Sequence, residues 1–260
     1  MKKYIDVFYD NIPFKFVYNS IDSSGLSGIE EIITKNQYDL KKFKNLEGKI
    51  FMDIGANIGI ATIIMAKLNK KSIIYAYEPF SEAFELLLEN ITINNITNVK
   101  AFNLAVSNKN NKELILNVFN NMSGANSTYS NKKKFNEYYN KELAIHIIKN
   151  MPDANSTNTD EKKINEFYHD CTTERVKCIS LDEILKNNKI NEIYLLKIDC
   201  EGAEFDIIYD SILFKNKTIK NIVGEFHDLK YNTIAYKSHD LLEYVKQYID
   251  GFINISILSV

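Results

Sequence analysis

The sequence predicts an α/β fold, a mostly parallel sheet with helices on both faces. Three observations carry this. From about residue 49 onward, short apolar runs alternate with helix-length stretches. The runs are apolar throughout rather than at every second position, as strands covered on both faces require. The first run, FMDIGANIGIATI (51–63), breaks at a glycine turn and resumes as a helix. At 260 residues, 45% hydrophobic and 25% charged, residues 1–260 suffice for a single domain with a decorated edge.

Residues 1–45 are expected to form a hairpin and a helix. Residues 3–9 and 12–18 alternate around Asp10-Asn11, a hairpin pattern. Residues 27–44 follow a helical pattern with Ile29, Ile32 and Ile33 on one face. Strands are then expected at about 49–53, 72–77, 98–104, 193–198 and 219–226, with helices at about 57–68, 81–92, 201–210 and 238–249. A last strand, 252–260, leaves nothing for a seventh. The sheet is therefore expected to be one strand short, or completed by the N-terminal hairpin. Residues 120–173, rich in Asn, Lys, Ser, Thr and Glu, interrupt the rhythm, and 134–150 could carry a helix. A connection that long inside a compact domain is commonly functional.

Several classes are excluded. A net charge of −2 argues against non-specific nucleic-acid binding. No apolar run approaches the roughly 20 residues of a membrane span. The opening MKKYIDVFYD lacks the apolar region of a secretion signal. Cys171, Cys178 and Cys200 match no paired framework, so free thiols in a reducing cytoplasm are expected. The bias toward Asn, Ile and Lys, with Arg175 alone of its kind, suggests a genome poor in G and C and hence a bacterial source.

The glycine turn DIGANIG admits three readings. A phosphate loop requires GxxxxGK[ST], which is absent. A dinucleotide fingerprint, GxGxxG, would put Asn57 and Ile60 where glycines belong, and a side chain at Asn57 obstructs the pyrophosphate. A nucleoside without phosphate suits the turn, because glycines let the backbone approach closely. S-adenosylmethionine (SAM) is such a ligand. Glu78, 19 residues after Gly59 in YAYEPF, ends the next strand, where an acid accepts hydrogen bonds from a ribose diol.

These pieces together resemble the FkbM family of SAM-dependent methyltransferases: FMDIGANIGIATI, YAYEPF, FNLAVSN (102–108), VKCISLDEIL (176–185), LLKIDCEGAEFDII (195–208) and VGEFH (223–227). The resemblance implies a class I, Rossmann-like fold and, in many members, O-methylation of a sugar-like or secondary-metabolite acceptor. It implies that Asp53, Gly55, Ala56, Asn57 and Gly59 line the methionine end of SAM. By the same likeness Glu78, with Pro79, meets the ribose, and Asn103 to Val106, including Ala105, lies near the adenine.

Two strand ends remain for chemistry. LLKIDCEGAE brings Asp199 and Glu201, with Glu204 open to a simple helix-start role. IVGEFH brings Glu225 and His227. Methyl transfer from a sulfonium is in-line and depends on positioning. A hydroxyl acceptor additionally needs a base, a metal or both. Asp199, Glu201, Glu225 and His227 are the candidates for base work, and Asp199, Glu225 and His227 could instead hold a divalent metal. The segment IDCEGAE has no proline and no aromatic to stack a flipped base, so nucleic acid is not the expected substrate. The expectation is O-methylation of a sugar, nucleotide-linked sugar or similar small polar metabolite, with 120–173 shaping the acceptor site. Methylation of a small amine, or SAM binding without catalysis, are the alternatives, and a homo-oligomer is left open.

Overall fold

The computed structural model describes residues 1–108, 112–119, 123–128, 171–231 and 234–258. The expected helix at 134–150 lies outside the described residues. Among those described, no helix is long and apolar enough to cross a membrane.

The chain opens with a hairpin of β1 (Lys2–Tyr9) and β2 (Ile12–Asn19). Asp10 and Asn11 both take positive φ, 50° and 62°, the backbone that a two-residue hairpin turn demands. Helix α1 (Ser23–Ile29) follows, capped by Asp22, and continues as one π-helical turn, Glu30–Thr34. The single helix expected over 27–44 is broken instead. Asn36 and Asp39 adopt left-handed backbone, and a short 3-10 turn at Leu40–Phe43 follows. Asn and Asp tolerate that conformation, and the break seats Tyr38, Leu40 and Phe43 in the core.

The central sheet contains β3 (Ile50–Ile54), β4 (Ile73–Tyr77), β5 (Val99–Phe102), β9 (Leu195–Ile198), β10 (Ile222–His227) and β13 (Ile253–Leu258). Its order is β13-β10-β9-β3-β4-β5, and every pairing is parallel. The hairpin pairs only with itself, so the sheet ends at six strands rather than recruiting it. The connecting helices are α2 (Ile60–Leu68), α3 (Ser81–Ile93), α4 (Leu181–Asn188), α5 (Glu204–Asp210), α6 (Ile212–Lys215) and α7 (Ser238–Lys246).

Both faces of the sheet are covered, which is why its strands are apolar throughout. Alternate residues serve opposite cores. Met52, Ile54, Leu196 and Ile198 pack with α4, α5 and α7. Phe51, Ile74, Leu195 and Val223 pack with α2, the hairpin and Phe43. A second sheet escaped the sequence reading: β6 (Ala105–Val106), β8 (Cys171–Ile179) and β7 (Glu113–Phe119), in the order β6-β8-β7. The expected strand 98–104 is β5, and β6 follows beyond it in the small sheet. Strands β7 and β8 are antiparallel, with Phe119 opposite Cys171. The polar stretch 120–170 is therefore the connection between two adjacent strands. Finally, β11 (Leu229–Tyr231) and β12 (Ile234–Tyr236) form a short hairpin before α7.

Candidate active site

The chain leaves β3 toward β4 on one side and β9 toward β10 on the other. Where the winding reverses, the carboxyl ends of neighbouring strands part and leave a crevice. A cavity of about 440 Å³ lies there, within the roughly 300–1,000 Å³ of small-molecule sites.

One wall is the glycine turn after β3. Gly55, Asn57 and Gly59 have φ of 75°, 49° and 89°. A Cβ on Gly55 would lie 1.8 Å from the Asp199 carbonyl oxygen, so space as well as conformation demands glycine. The Gly55 and Ala56 amides donate to the Tyr77 carbonyl, each at 3.0 Å. The Asn57 amide donates to Glu78 Oε2 at 2.7 Å, and the Phe80 amide to Oε1 at 2.9 Å. Both Glu78 oxygens therefore brace the turn. Burial pushes the Glu78 carboxyl up to about 7, against the lowering pull of those two amides. Asn103 Nδ2 donates to the Glu78 and Pro79 carbonyls, both at 2.9 Å.

Beneath the turn sits Lys197, which the sequence reading missed. It is only 3% exposed. Its Nζ donates to the Gly55 carbonyl at 2.6 Å and stands 3.2 Å from Asp53 Oδ1 and 3.8 Å from Asp199 Oδ2. Burial would lower its pKa, but the Asp53 and Asp199 carboxylates hold it above the ordinary lysine value. The available signal was a lysine inside an otherwise apolar strand, which is buried only with carboxylate partners. Asp53 is fully buried and also accepts from Thr62 Oγ1 at 2.5 Å. It supports the turn from below and does not line the cavity.

The second wall carries the acids. Asp199 follows β9 and accepts from the Tyr38 hydroxyl at 2.8 Å. Glu201 does not open a helix, as the sequence suggested. It has φ 54° in a turn, and α5 begins at Glu204. Glu204 is fully buried and folds back to accept from the Cys200 and Gly202 amides, at 2.7 and 2.8 Å. Its Oε1 also stands 3.2 Å from His227 Nδ1. His227 Nε2 lies 3.6 Å from Glu201 Oε1 and 3.6 Å from Glu225 Oε2. Burial works against charge on His227, but Glu201 and Glu204 raise its pKa well above the ordinary value. Burial pushes the Glu201 carboxyl up to about 8, with Asp199 adding to the rise and His227 opposing it. Burial, followed by Asp199, brings Glu225 to about 7, and Gln37 Nε2 donates to Glu225 Oε1.

Of the residues expected at the site, Gly55, Ala56, Asn57, Glu78, Pro79 and Ala105 line the cavity on the turn side. Asp199, Glu201 and Glu225 line it on the acid side. Gly59, Asn103 and His227 lie behind these walls with Asp53. Asp199, Glu201 and His227 bring one ligand atom each within 4.8 Å of the others, and Glu225, the acid expected beside Asp199 and His227, stands 3.6 Å from His227 Nε2.

A third wall is polar. Ser123, Asn126 and Thr128, at the start of the polar connection, line the cavity, and so do Ser23, Ser24 and Ser27 of α1. Asp22 Oδ1 accepts from the Ser24 and Ser123 amides at 2.9 and 3.1 Å, and Ser24 Oγ from the Gly124 amide at 2.9 Å. No catalytic pattern marks those serines in the sequence; only the contact between α1 and the connection brings them to the site.

The chain is similar to known methyltransferases. The profile described as "Methyltransferase FkbM domain" matches residues 53–249, from the end of β3 past α7. "Methyltransferase 1" of Beauveria bassiana (strain ARSEF 2860) is 27% identical over 203 residues, 77% of this chain and 73% of that protein. "Methyltransferase sdnD" of Sordaria araneosa is 28% identical over 198 residues, 75% of this chain and 72% of that protein. Both relatives are fungal, so the suggestion of a bacterial source stands on residue bias alone. Solved structures align over less. M. jannaschii TYW2 in complex with AdoMet has 23% identity and a TM-score of 0.28, covering 38% of this chain and 42% of that one. StiE O-MT residues 961–1257 has 12% identity and a TM-score of 0.26, covering 62% and 81%.

Proposed function

The chain belongs to the FkbM methyltransferase family, whose members take their methyl group from SAM, and from that premise we propose that it methylates a hydroxyl oxygen of a small, polar, carbohydrate-like acceptor. The observation that carries the acceptor reading is the convergence of Asp199, Glu201 and Glu225 on the cavity that the glycine turn also lines. A hydroxyl reacts only as its proton is taken, so it needs an acceptor group beside it. A neutral amine does not.

The residues present fit the donor. Gly55, Ala56 and Asn57 line the cavity with a turn whose amides are held by Tyr77 and Glu78. The cation at this cavity among the described residues, Lys197, is committed to Gly55, Asp53 and Asp199. Gly55, Ala56 and Asn57 would hold the methionine end, Glu78 and Pro79 the ribose, and Ala105 the adenine side. SAM supplies an electrophilic methyl on a sulfonium whose departure is neutral, so positioning contributes much of the rate. Tyr38 donates to Asp199 Oδ2 and Lys197 stands 3.8 Å from the same oxygen. Asp199, Glu201 and Glu225 are the groups to receive the hydroxyl proton. His227, behind the wall, is a positioning residue that holds Glu201 and Glu225 by charge. The hydroxyl-bearing third wall suits a polyhydroxylated acceptor. The odd cysteine count supports action in the cytoplasm. The same carboxylates would also attract an ammonium, which keeps a small amine as the second reading.

Two measurements test this. Calorimetric titration should show binding of SAM and S-adenosylhomocysteine but not NAD. Incubation with methyl-labelled SAM and a panel of sugars, nucleotide sugars and small amines should yield an oxygen-linked methyl. Asp199→Asn should keep SAM affinity within about threefold and lose roughly 10²-fold or more in turnover. A nitrogen-linked product would overturn the hydroxyl reading.

A further inference from the structure

We propose that Asp199, Glu201 and His227 form a divalent-cation site, of the magnesium or manganese class, at the acid wall of the cavity. Three observations converge. Each residue offers one ligand atom, and the three atoms lie within 4.8 Å of one another. On an octahedral ion with bonds of about 2.1 Å, adjacent ligands stand roughly 3 Å apart and opposite ones roughly 4.2 Å. His227 Nε2 is buried, has no hydrogen-bond partner among the described residues, and points between Glu201 and Glu225 at 3.6 Å from each. That spacing is too long for a hydrogen bond and leaves room for an ion.

The ring is also held as a ligating imidazole is held. Glu204 Oε1 stands 3.2 Å from Nδ1, and Glu204 is itself pinned by the Cys200 and Gly202 amides. With an ion bound, the proton would stay on Nδ1 toward that carboxylate and the Nε2 lone pair would face the ion. One imidazole among oxygens fits magnesium or manganese better than zinc, which favours more nitrogen and sulfur ligands.

The inference deepens the acceptor reading and rests on it for its chemical role. A cation there would polarise an acceptor hydroxyl, with Glu225 left beside it to take the proton. Binding of the ion is tested without any acceptor. The chelator-treated full chain is titrated with Mn²⁺, following free Mn²⁺ by electron paramagnetic resonance, and SAM affinity is measured in the same samples. About one Mn²⁺ per chain should bind, and Glu201→Gln and His227→Gln should each weaken it by about tenfold or more while SAM still binds. Glu201 lies on a turn, so its variant carries the test if His227→Gln fails to fold. No Mn²⁺ binding by the wild type, or unchanged affinity in Glu201→Gln, overturns the proposal. Mn²⁺ binding without turnover on any hydroxyl would leave the cation site standing and sink the acceptor reading instead.

Discussion

Glu78 shows how one side chain serves two masters. Its oxygens accept from the Asn57 and Phe80 amides, yet it is 7% exposed and its carboxyl is pushed up to about 7 by burial. A carboxyl whose folded pKa lies above its ordinary 4.5 binds its proton more tightly in the folded state. Its contribution therefore falls as pH rises from about 4.5 to about 7 and is level above that. The span corresponds to a few kcal/mol at most, roughly 3. In Glu78→Gln that fall should vanish, leaving only a pH-independent cost from the lost acceptor. Denaturant midpoints of both proteins across pH 4–8 check this; a constant difference between them would dismiss it. Lys197 is the complementary case, a cation whose burial is tolerated because two carboxylates and a carbonyl meet it.

At the scale of elements, α3 is the strut between the hairpin and the glycine turn. Asn90, fully buried in α3, accepts from the Val17 amide at 2.7 Å and donates to the Val17 and Ile58 carbonyls at 3.0 and 2.9 Å. One side chain thus satisfies backbone groups of β2 and of the turn that no strand ladder reaches. Asn90→Ala would strand an amide and two carbonyls in the interior. Loss of about 2 kcal/mol or more is expected, read from chemical denaturation. SAM affinity should also fall, because Ile58 belongs to the cavity wall. The polar connection after β7 acts likewise through few residues. The Ser127 hydroxyl donates to the Glu201 carbonyl at 2.7 Å, joining the connection to the acid wall.

For the whole molecule, the reversal of winding between β3 and β9 decides where everything converges. Segments from residue 22 to residue 227, on both sides of that reversal, meet at one cavity and its supporting shell. A donor that binds there binds only the folded chain, so it stabilises by mass action. At about 100 times its dissociation constant SAM should add roughly 2.7 kcal/mol. For a chain of this size that raises the melting temperature by roughly 5–10 °C. NAD at the same concentration should leave it unchanged. Equal shifts from both, measured by scanning calorimetry, would contradict the donor assignment.

The sequence by itself determined the local features: the apolar strands, the glycine turn, the acid after β4, the acids after β9 and Glu225 in β10. Each follows from short-range rules, since burial on both faces leaves continuous apolar runs and a position where a Cβ would come within 1.8 Å of another carbonyl oxygen leaves a glycine. Asp53 was legible as a residue of the turn but not as one turned away from the cavity, because that depends on Lys197, 144 positions along the chain. Only the tertiary structure decided that Glu201, on a left-handed turn ahead of α5, comes as close to His227 as Glu225 does. It alone brought Tyr38 to Asp199 and the α1 serines to the cavity. The physical reason is the same in each case. These partners are chosen by packing across the reversal of the sheet, and nothing in the spacing of residues along the chain records which strand ends will face each other.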